Sequence, residues 1–250
     1  MKTGLFSFIL FVSLLSLRGP ERKIRILMAG DSTMSVKETT AYPETGWGMP
    51  FQYFWDSTVE VINLAKNGRS TRTFISEGRW EKLMEQVRKG DYVFIEFGHN
   101  DESKEKPDRY TTVDEYRANL SRFVDEVRSR NAIPVLLTPV SRRKFESEGQ
   151  VTQTHPLYST VVRELAAAKK VTFIDLDELT RKLYERFGPE WSRQLFLHLR
   201  PGEHPNYPSG REDNTHFNEL GARLVAQEVL TAIQGSDLEL KDHIIKSKRP

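Results

Sequence analysis

A polar step follows the first apolar run of the sequence, where "KIRILM" gives way to "AGDSTM". A serine hydroxyl is a weak nucleophile until a base removes its proton, and a third group must hold that base in one tautomer. Ser32 in this step is our candidate nucleophile, His216 in "DNTH" is the candidate base, and Asp213 is the candidate group that orients the imidazole. These residue types indicate acyl transfer through a covalent intermediate.

Acyl transfer also needs hydrogen-bond donors around the oxyanion of its tetrahedral intermediate. The candidate donors are the backbone N–H of Ser32, the backbone N–H of Gly68 in "NGRS" and the side-chain amide of Asn100 in "GHND". Gly68 suits a close backbone approach because it has no Cβ. Each motif alone is typical of a turn or a helix cap. Their occurrence together, in this order, favours a shared site.

The elements that must position these residues alternate along the chain. Compact apolar runs predict strands covered on both faces, as in a parallel sheet, over residues 24–29, 59–64, 92–97, 134–138 and 171–174. Helical patterns lie between the runs, and one opens with a capping-box spacing of Thr112 and Glu115. This alternation predicts an α/β fold with a doubly wound parallel sheet, whose sites form at the carboxyl ends of the strands.

The first residues differ in character from the rest of the 250-residue chain. Residues 1–19 contain one early lysine, an uncharged apolar run over 5–17, and then Arg18, which is the pattern of a signal peptide. No A-x-A pattern follows, so a retained N-terminal anchor stays open as an alternative. We expect one catalytic domain over 20–250 and an exported bacterial protein, periplasmic or extracellular, with no membrane span in its mature form.

Charge and cysteine content exclude several classes of function. Without residues 1–19 the formal net charge falls from +2 to 0, because Lys2 and Arg18 are lost, and nothing then favours nucleic-acid binding. The chain has no cysteine, which excludes disulfides, a thiolate nucleophile and Cys-ligated metal. His198 and His204 fit no common zinc spacing, so we expect neither a metal nor another cofactor. The G-x-S-x-G elbow of the α/β-hydrolases is also absent.

The four polar blocks together resemble those of the SGNH, or GDSL-type, hydrolases, which contribute Ser, Gly, Asn and His. In this chain the blocks are "GDSTM", "NGRS", "GHND" and "DNTH". The resemblance implies a three-layer α/β/α, flavodoxin-like fold with a parallel five-stranded sheet. The stretches "NGRSTRTFISEGRW", "TPVSRRKF" and "DNTHFNELGA" further resemble the rhamnogalacturonan acetylesterase branch. That branch implies an exported esterase that deacetylates pectic polysaccharide without a cofactor.

A pectic substrate is a polyanion, so cations should lie near the catalytic strand ends. The candidate substrate contacts are Arg69, Arg72, Arg142, Arg143 and His204. The competing interpretation for the arginines is solvated surface charge or ion pairs with Glu77 and Glu81. Trp47 and Trp80 could stack against sugars, although core packing is the more common fate of such residues.

Other functions remain open from the residues alone. The same machinery could serve a lipase, lysophospholipase or thioesterase, which would need an apolar channel for a long acyl chain. A non-catalytic carbohydrate-binding protein on the same fold is another alternative. We expect no nucleic-acid partner and no obligate protein partner.

Overall fold

A parallel five-stranded sheet forms the centre of the structure, a computed structural model that describes residues 23–246. Its strands are β1 (Ile24–Gly30), β2 (Val59–Asn63), β3 (Tyr92–Glu96), β4 (Ile133–Leu137) and β5 (Thr172–Ile174), in the order β2-β1-β3-β4-β5. All neighbouring pairs are parallel. The predicted strands are therefore confirmed, and the strand order reverses beside β1, where ligands bind in such sheets.

Helices cover both faces of this sheet. They are α1 (Gly48–Phe51), α2 (Thr71–Ser76), α3 (Arg79–Gln86), α4 (Val113–Ser129), α5 (Pro156–Lys169), α6 (Leu176–Trp191) and α7 (Glu219–Gln234). Because successive strand residues point to opposite faces, Ile26 and Met28 pack in the layer with α1, α6 and α7. Leu27 and Ala29 pack in the layer with α3, α4 and α5. The result is the three-layer α/β/α architecture expected from the sequence.

Local sequence signals explain where the longest helix begins and which face it buries. Thr112 caps α4 with the predicted capping box, in which its side chain and that of Glu115 bond each other's backbone N–H. Phe123 on its buried face stacks on Trp80 of α3, with ring centroids 3.8 Å apart. Trp80 and Trp47 are both fully buried, so core packing is confirmed for each and sugar stacking is wrong.

The segment before α7 contains a pair of strands that was not among the predicted elements. The stretch "HLRPGEHPNYPSGRE" is rich in proline and glycine, as loops are, but its two ends belong to β6 (Phe196–Leu199) and β7 (Arg211–Phe217), which pair antiparallel. The candidate base and its carboxylate therefore lie on a strand. The sequence gives little sign of β7, because "REDNTHF" is polar up to Phe217 and lacks the alternation of a half-buried strand.

The predicted signal peptide, residues 1–19, lies outside the described residues and stays a prediction. In the part of the chain that the structure does describe, no helix has the length and apolar character needed to cross a membrane.

Candidate active site

Ser32, His216 and Asp213 form a chain of hydrogen bonds just beyond the carboxyl end of β1. Ser32 Oγ lies 3.0 Å from His216 Nε2, and His216 Nδ1 lies 2.9 Å from Asp213 Oδ2. The other carboxylate oxygen accepts the backbone N–H groups of Thr215 at 2.7 Å and His216 at 2.9 Å. The carboxylate thus favours the tautomer with the proton on Nδ1, which leaves Nε2 able to accept the serine proton.

The Asp213 carboxylate is stabilised in its charged form. Partial burial opposes its ionisation, but the hydrogen bonds and charge of His216 outweigh burial and hold the pKa of Asp213 well below its ordinary value. The Arg211 guanidinium lies 3.2 Å from the same Oδ2 atom. Asp213 therefore stays anionic at neutral pH and can support an imidazolium at His216.

The Gly68 and Asn100 loops carry the candidate oxyanion donors. Gly68 has a positive φ of 73°, a conformation that favours glycine, and a Cβ there would lie 3.1 Å from Arg109 Nη1. The Asn100 amide donates to the carbonyl of Arg69 at 3.1 Å and accepts from Arg109 Nη1 at 3.2 Å. These two bonds define the orientation of the amide, and its second N–H has no hydrogen-bond partner among residues 23–246.

Lys37, which belongs to none of the four sequence motifs, joins two of these loops. Its Nζ donates to the Ser32 carbonyl at 2.5 Å and to Asn67 Oδ1 at 2.8 Å, and it lies 2.7 Å from Glu44 Oε1. Burial lowers the pKa of Lys37, while the nearby Glu44 carboxylate acts in the opposite direction. No sequence pattern distinguishes this lysine from a surface loop residue. Its contacts tie the nucleophile's loop to the residue that precedes Gly68.

Two carboxyl groups, Asp31 and Glu96, are fully buried beneath the nucleophile. The Thr33 hydroxyl lies 2.9 Å from Asp31 Oδ1 and 2.9 Å from Glu96 Oε1, yet it has only one proton to donate. Burial, and then the neighbouring Asp31 charge, raise the pKa of Glu96 to about 8. Glu96 is therefore neutral at pH 7 and donates to Thr33, which donates to Asp31. A carboxyl inside the apolar run "YVFIEF" was the sequence signal for this group.

Asp101 anchors the loop that carries Asn100. It is fully buried and accepts the Thr71 N–H at 3.0 Å and the Thr71 hydroxyl at 2.5 Å, at the start of α2. Burial raises the pKa of Asp101 to about 7. The Asn100 loop is thus attached to the helix that follows Gly68, which keeps the two candidate donors in a common frame.

The structure separates the five candidate substrate contacts into two groups. Arg69 pairs with Glu77 at 3.0 Å and Arg72 pairs with Glu115 at 3.0 Å, both in partly exposed positions. The Arg69–Glu77 pair is one that the competing interpretation named, whereas Arg72 pairs with Glu115, and Glu81 pairs with Arg122 instead. Substrate contact by either arginine stays a prediction.

The other three candidates lie against the β6–β7 pair. Arg142 Nη1 donates to Thr215 Oγ1 at 2.5 Å, and Arg143 Nη1 donates to Asn214 Oδ1 at 3.0 Å. Burial lowers the pKa of Arg143 from that of a free guanidinium. His204 lies in the connection between the two strands. The loop after β4 is thus pinned beside the strand of His216.

The site combines a hydroxyl hydrogen-bonded to an imidazole, a carboxylate on the other side of that imidazole, and oriented hydrogen-bond donors nearby. That combination suits nucleophilic attack on a carbonyl carbon. Residues 23–246 contain no group of three or more His, Asp or Glu side chains placed to hold a metal ion.

Comparisons with known proteins agree with this geometry. The GDSL-like Lipase/Acylhydrolase family model matches residues 28–224. The chain is 41% identical over 225 residues to rhamnogalacturonan acetylesterase RhgT of Bacillus subtilis, covering 90% of this chain and 96% of RhgT. The YxiM structure from Bacillus subtilis matches with a TM-score of 0.76 and 25% identity, over 88% of this chain and only 58% of YxiM. Axe2, an acetylxylan esterase from Geobacillus stearothermophilus, matches with a TM-score of 0.60 and 19% identity, over 91% and 98% of the two chains, which shows the fold alone.

The neutral state of Glu96 predicts a pH dependence of stability. The pKa of Glu96 in the fold, about 8, lies above its ordinary value of 4.5, so the folded state binds more protons between these values and stability falls as pH rises through them. Glu96→Gln mimics the neutral form and removes this loss. As pH rises through this window, the free energy of unfolding of Glu96→Gln should increase relative to that of the wild type by up to ~1.4 kcal/mol per pH unit.

Denaturant titrations of both proteins at pH 5 and pH 8 measure this gain. The quantity to compare is the difference in unfolding free energy between the variant and the wild type, measured once at each pH. A constant effect of the Gln substitution on stability cancels when the two differences are subtracted. A constant difference would mean that Glu96 is already ionised in the folded protein.

Removing the Lys37 ammonium should impair the nucleophile without unfolding the sheet. In Lys37→Met with Glu44→Gln, neither group remains as an unpaired buried charge, the situation that costs most stability. Loss of the bonds to Ser32 and Asn67 should slow covalent labelling of Ser32 by a fluorophosphonate about 10- to 100-fold, the usual effect of a misplaced reacting group.

Labelling rates, with circular dichroism as a check of folding, test this. Glu44→Gln alone serves as the control and should label faster than the double variant. Equal labelling of the double variant and the wild type would contradict the role given to Lys37.

Proposed function

The chain belongs to the GDSL-like lipase/acylhydrolase family, and from that premise we propose that it is a serine carbohydrate esterase that removes acetyl groups from pectic rhamnogalacturonan. The hydrogen-bonded chain from Ser32 through His216 to Asp213 is the observation that carries the ester chemistry. The substrate class follows from 41% identity to RhgT across nearly the whole of both proteins.

The first half of the proposed reaction acylates the serine. Ser32 Oγ attacks the acetyl carbonyl carbon while His216 Nε2 takes the hydroxyl proton, and Asp213 stabilises the imidazolium that forms. The Ser32 and Gly68 backbone N–H groups and the Asn100 amide receive the oxyanion. The tetrahedral intermediate then collapses, and His216 protonates the departing sugar oxygen, so the sugar leaves with its free hydroxyl.

The second half restores the enzyme. A water molecule gives one proton to His216 Nε2 and attacks the acetyl-serine carbonyl, and the same donors stabilise the second oxyanion. Collapse releases acetate and returns the proton from His216 to Ser32 Oγ. Each step uses only the side chains and backbone N–H groups named here, together with water.

The alternatives fit less well. A lipase, lysophospholipase or thioesterase would need an apolar channel, whereas the groups near Ser32 and His216 include the cations Arg142 and Arg211. A non-catalytic binding protein would have no use for the hydrogen-bonded serine, histidine and aspartate. Acetylxylan remains the main rival substrate, because Axe2 shares the fold.

The remaining proposals concern substrate contact and location. We keep Arg142 as a substrate contact, because it bonds Thr215 beside His216 and its side chain is 36% exposed. We also keep export of the protein, with residues 1–19 as its signal peptide, since a polysaccharide substrate lies outside the cell.

Acetate release tests the substrate. We expect release from acetylated rhamnogalacturonan, much slower release from acetylated xylan, and none above background from Ser32→Ala with either polymer. Equal rates on both polymers would replace the pectic proposal with a general carbohydrate esterase. Activity confined to long-chain nitrophenyl esters would support the lipase alternative instead.

The role of Asp213 has a kinetic signature of its own. Asp213→Asn preserves the shape of the side chain but removes its charge and its preference for the productive tautomer, so kcat should fall about 10⁴-fold while KM changes little. Steady-state kinetics on a short acetyl ester measure both constants. A loss under tenfold would mean that another group supports His216.

A further inference from the structure

Unpaired arginines are unevenly placed on this protein. The side chains of Arg88, Arg130, Arg193 and Arg200 have no hydrogen bond, ion pair or ring contact among the described residues. Arg88 and Arg130 are exposed just before β3 and β4, at the amino ends of the strands. Arg193 and Arg200 flank β6, on the side of the molecule that carries His216. Free guanidinium groups remain available to an anionic ligand.

These last two arginines line one groove along β6 and β7, with a volume of about 760 Å³. Its charged and titratable lining is Arg193, His198, Arg200, Glu203, Arg211 and Glu212. The Glu203 carboxylate already accepts the backbone N–H of Arg200 at 2.7 Å. Arginines thus outnumber glutamates, and the volume is that of a site for a small ligand or a short stretch of polymer.

The groove adjoins the catalytic strand. Arg211 Nη2 lies 3.2 Å from Asp213 Oδ2, and His198 Nε2 lies 2.9 Å from Asn214 Oδ1. Two of the lining residues therefore contact the segment between Asp213 and His216. A polymer chain bound at Ser32 can extend along this strand into the groove.

An exposed tryptophan lies in a second cavity next to the groove. Trp191, the last residue of α6, is 67% exposed and lines a second cavity of about 330 Å³ that shares Gln194 with the groove. A single exposed apolar side chain is ordinary on a protein surface. Beside unpaired guanidinium groups, however, it adds a flat apolar face on which a sugar ring can lie.

We propose that Arg193 and Arg200 bind carboxylates of a uronate-containing polysaccharide, with Trp191 against one of its sugar rings. Guanidinium forks match carboxylate geometry, and the spacing of charges along the polymer allows more than one contact. This inference rests on the proposed esterase function and adds to it a reason for preferring acidic polymers to neutral ones such as xylan.

Binding of de-esterified polygalacturonate, which carries no acetyl ester, tests the groove apart from catalysis. In titration calorimetry at low salt, Arg193→Gln with Arg200→Gln should bind about tenfold more weakly than the wild type, the size expected for two exposed ion pairs. Arg88→Gln with Arg130→Gln is the matched control, because it removes the same charge from the opposite end of the sheet. The control should lose less than about twofold.

Three results would overturn the proposal: equal weakening in both double variants, no weakening in the groove variant, or no binding by the wild type. Trp191→Ala adds a separate arm, since stacking predicts weaker binding that persists at high salt, where ion pairs are screened. Unchanged binding by Trp191→Ala would remove the tryptophan from the site.

Kinetics separate this proposal from the catalytic one. Arg193 and Arg200 contact none of Ser32, His216 or Asp213, so the groove variant should hydrolyse nitrophenyl acetate at the wild-type rate. Its kcat/KM on acetylated rhamnogalacturonan should fall about tenfold, mainly through KM. A matching loss on nitrophenyl acetate would contradict a binding role. A wild type inactive on every acetyl ester would instead defeat the esterase proposal, with the calorimetry still deciding the groove.

Discussion

The 3.0 Å contact between Ser32 Oγ and His216 Nε2 joins residues 184 positions apart, and much of the surrounding structure serves to maintain it. On one side of this contact, Ser32 follows the end of β1, a strand that is paired on both edges, with β2 and with β3. The other side is β7, which is held by its pairing with β6 and by the packing of Phe217 on Phe196, with ring centroids 5.2 Å apart. Immediately afterwards α7 begins against the turn that precedes β6, where a Cβ on Gly221 would lie 1.9 Å from the Leu195 carbonyl oxygen. Only glycine permits that approach, so the strand carrying the base is confined at both ends.

Polar groups, rather than apolar packing, support the nucleophile from below. Three titratable side chains are buried close to Ser32, namely Lys37, Asp31 and Glu96. Burial of a charged group is costly unless the charge is paired or neutralised. Both solutions occur here, because Lys37 is fully bonded and Glu96 is protonated. Such networks have directional bonds, so they restrict a loop more tightly than apolar contacts do. The backbone N–H of Ser32 is consequently held in a preorganised position, as an oxyanion donor requires.

The sheet, the long helices and the residues of the candidate triad could all be predicted from the sequence, because each leaves a local signal. Apolar runs define β1 and β3, a capping box defines the start of α4, and short motifs flag Ser32 and His216. What could not be predicted depends on tertiary contacts. The strand β7 exists because β6 lies beside it, and Lys37 is buried because Glu44 and Asn67 return to it from other loops. The arginines show the same limit, because their positions in the sequence do not indicate which side chain pairs with Glu115 and which stays exposed in the groove.

Trapping the covalent intermediate would test the central claim, that Ser32 is the nucleophile of a two-step esterase, most directly. Protein mixed with a reactive acetyl ester and quenched in acid within milliseconds can be digested and mapped by mass spectrometry. The structure predicts one acetyl group on the peptide that contains Ser32, absent from His216→Ala and lost from the wild type as substrate is exhausted. Turnover without any acetylated Ser32, even when deacylation is slowed, or with acetyl on another residue, would contradict it.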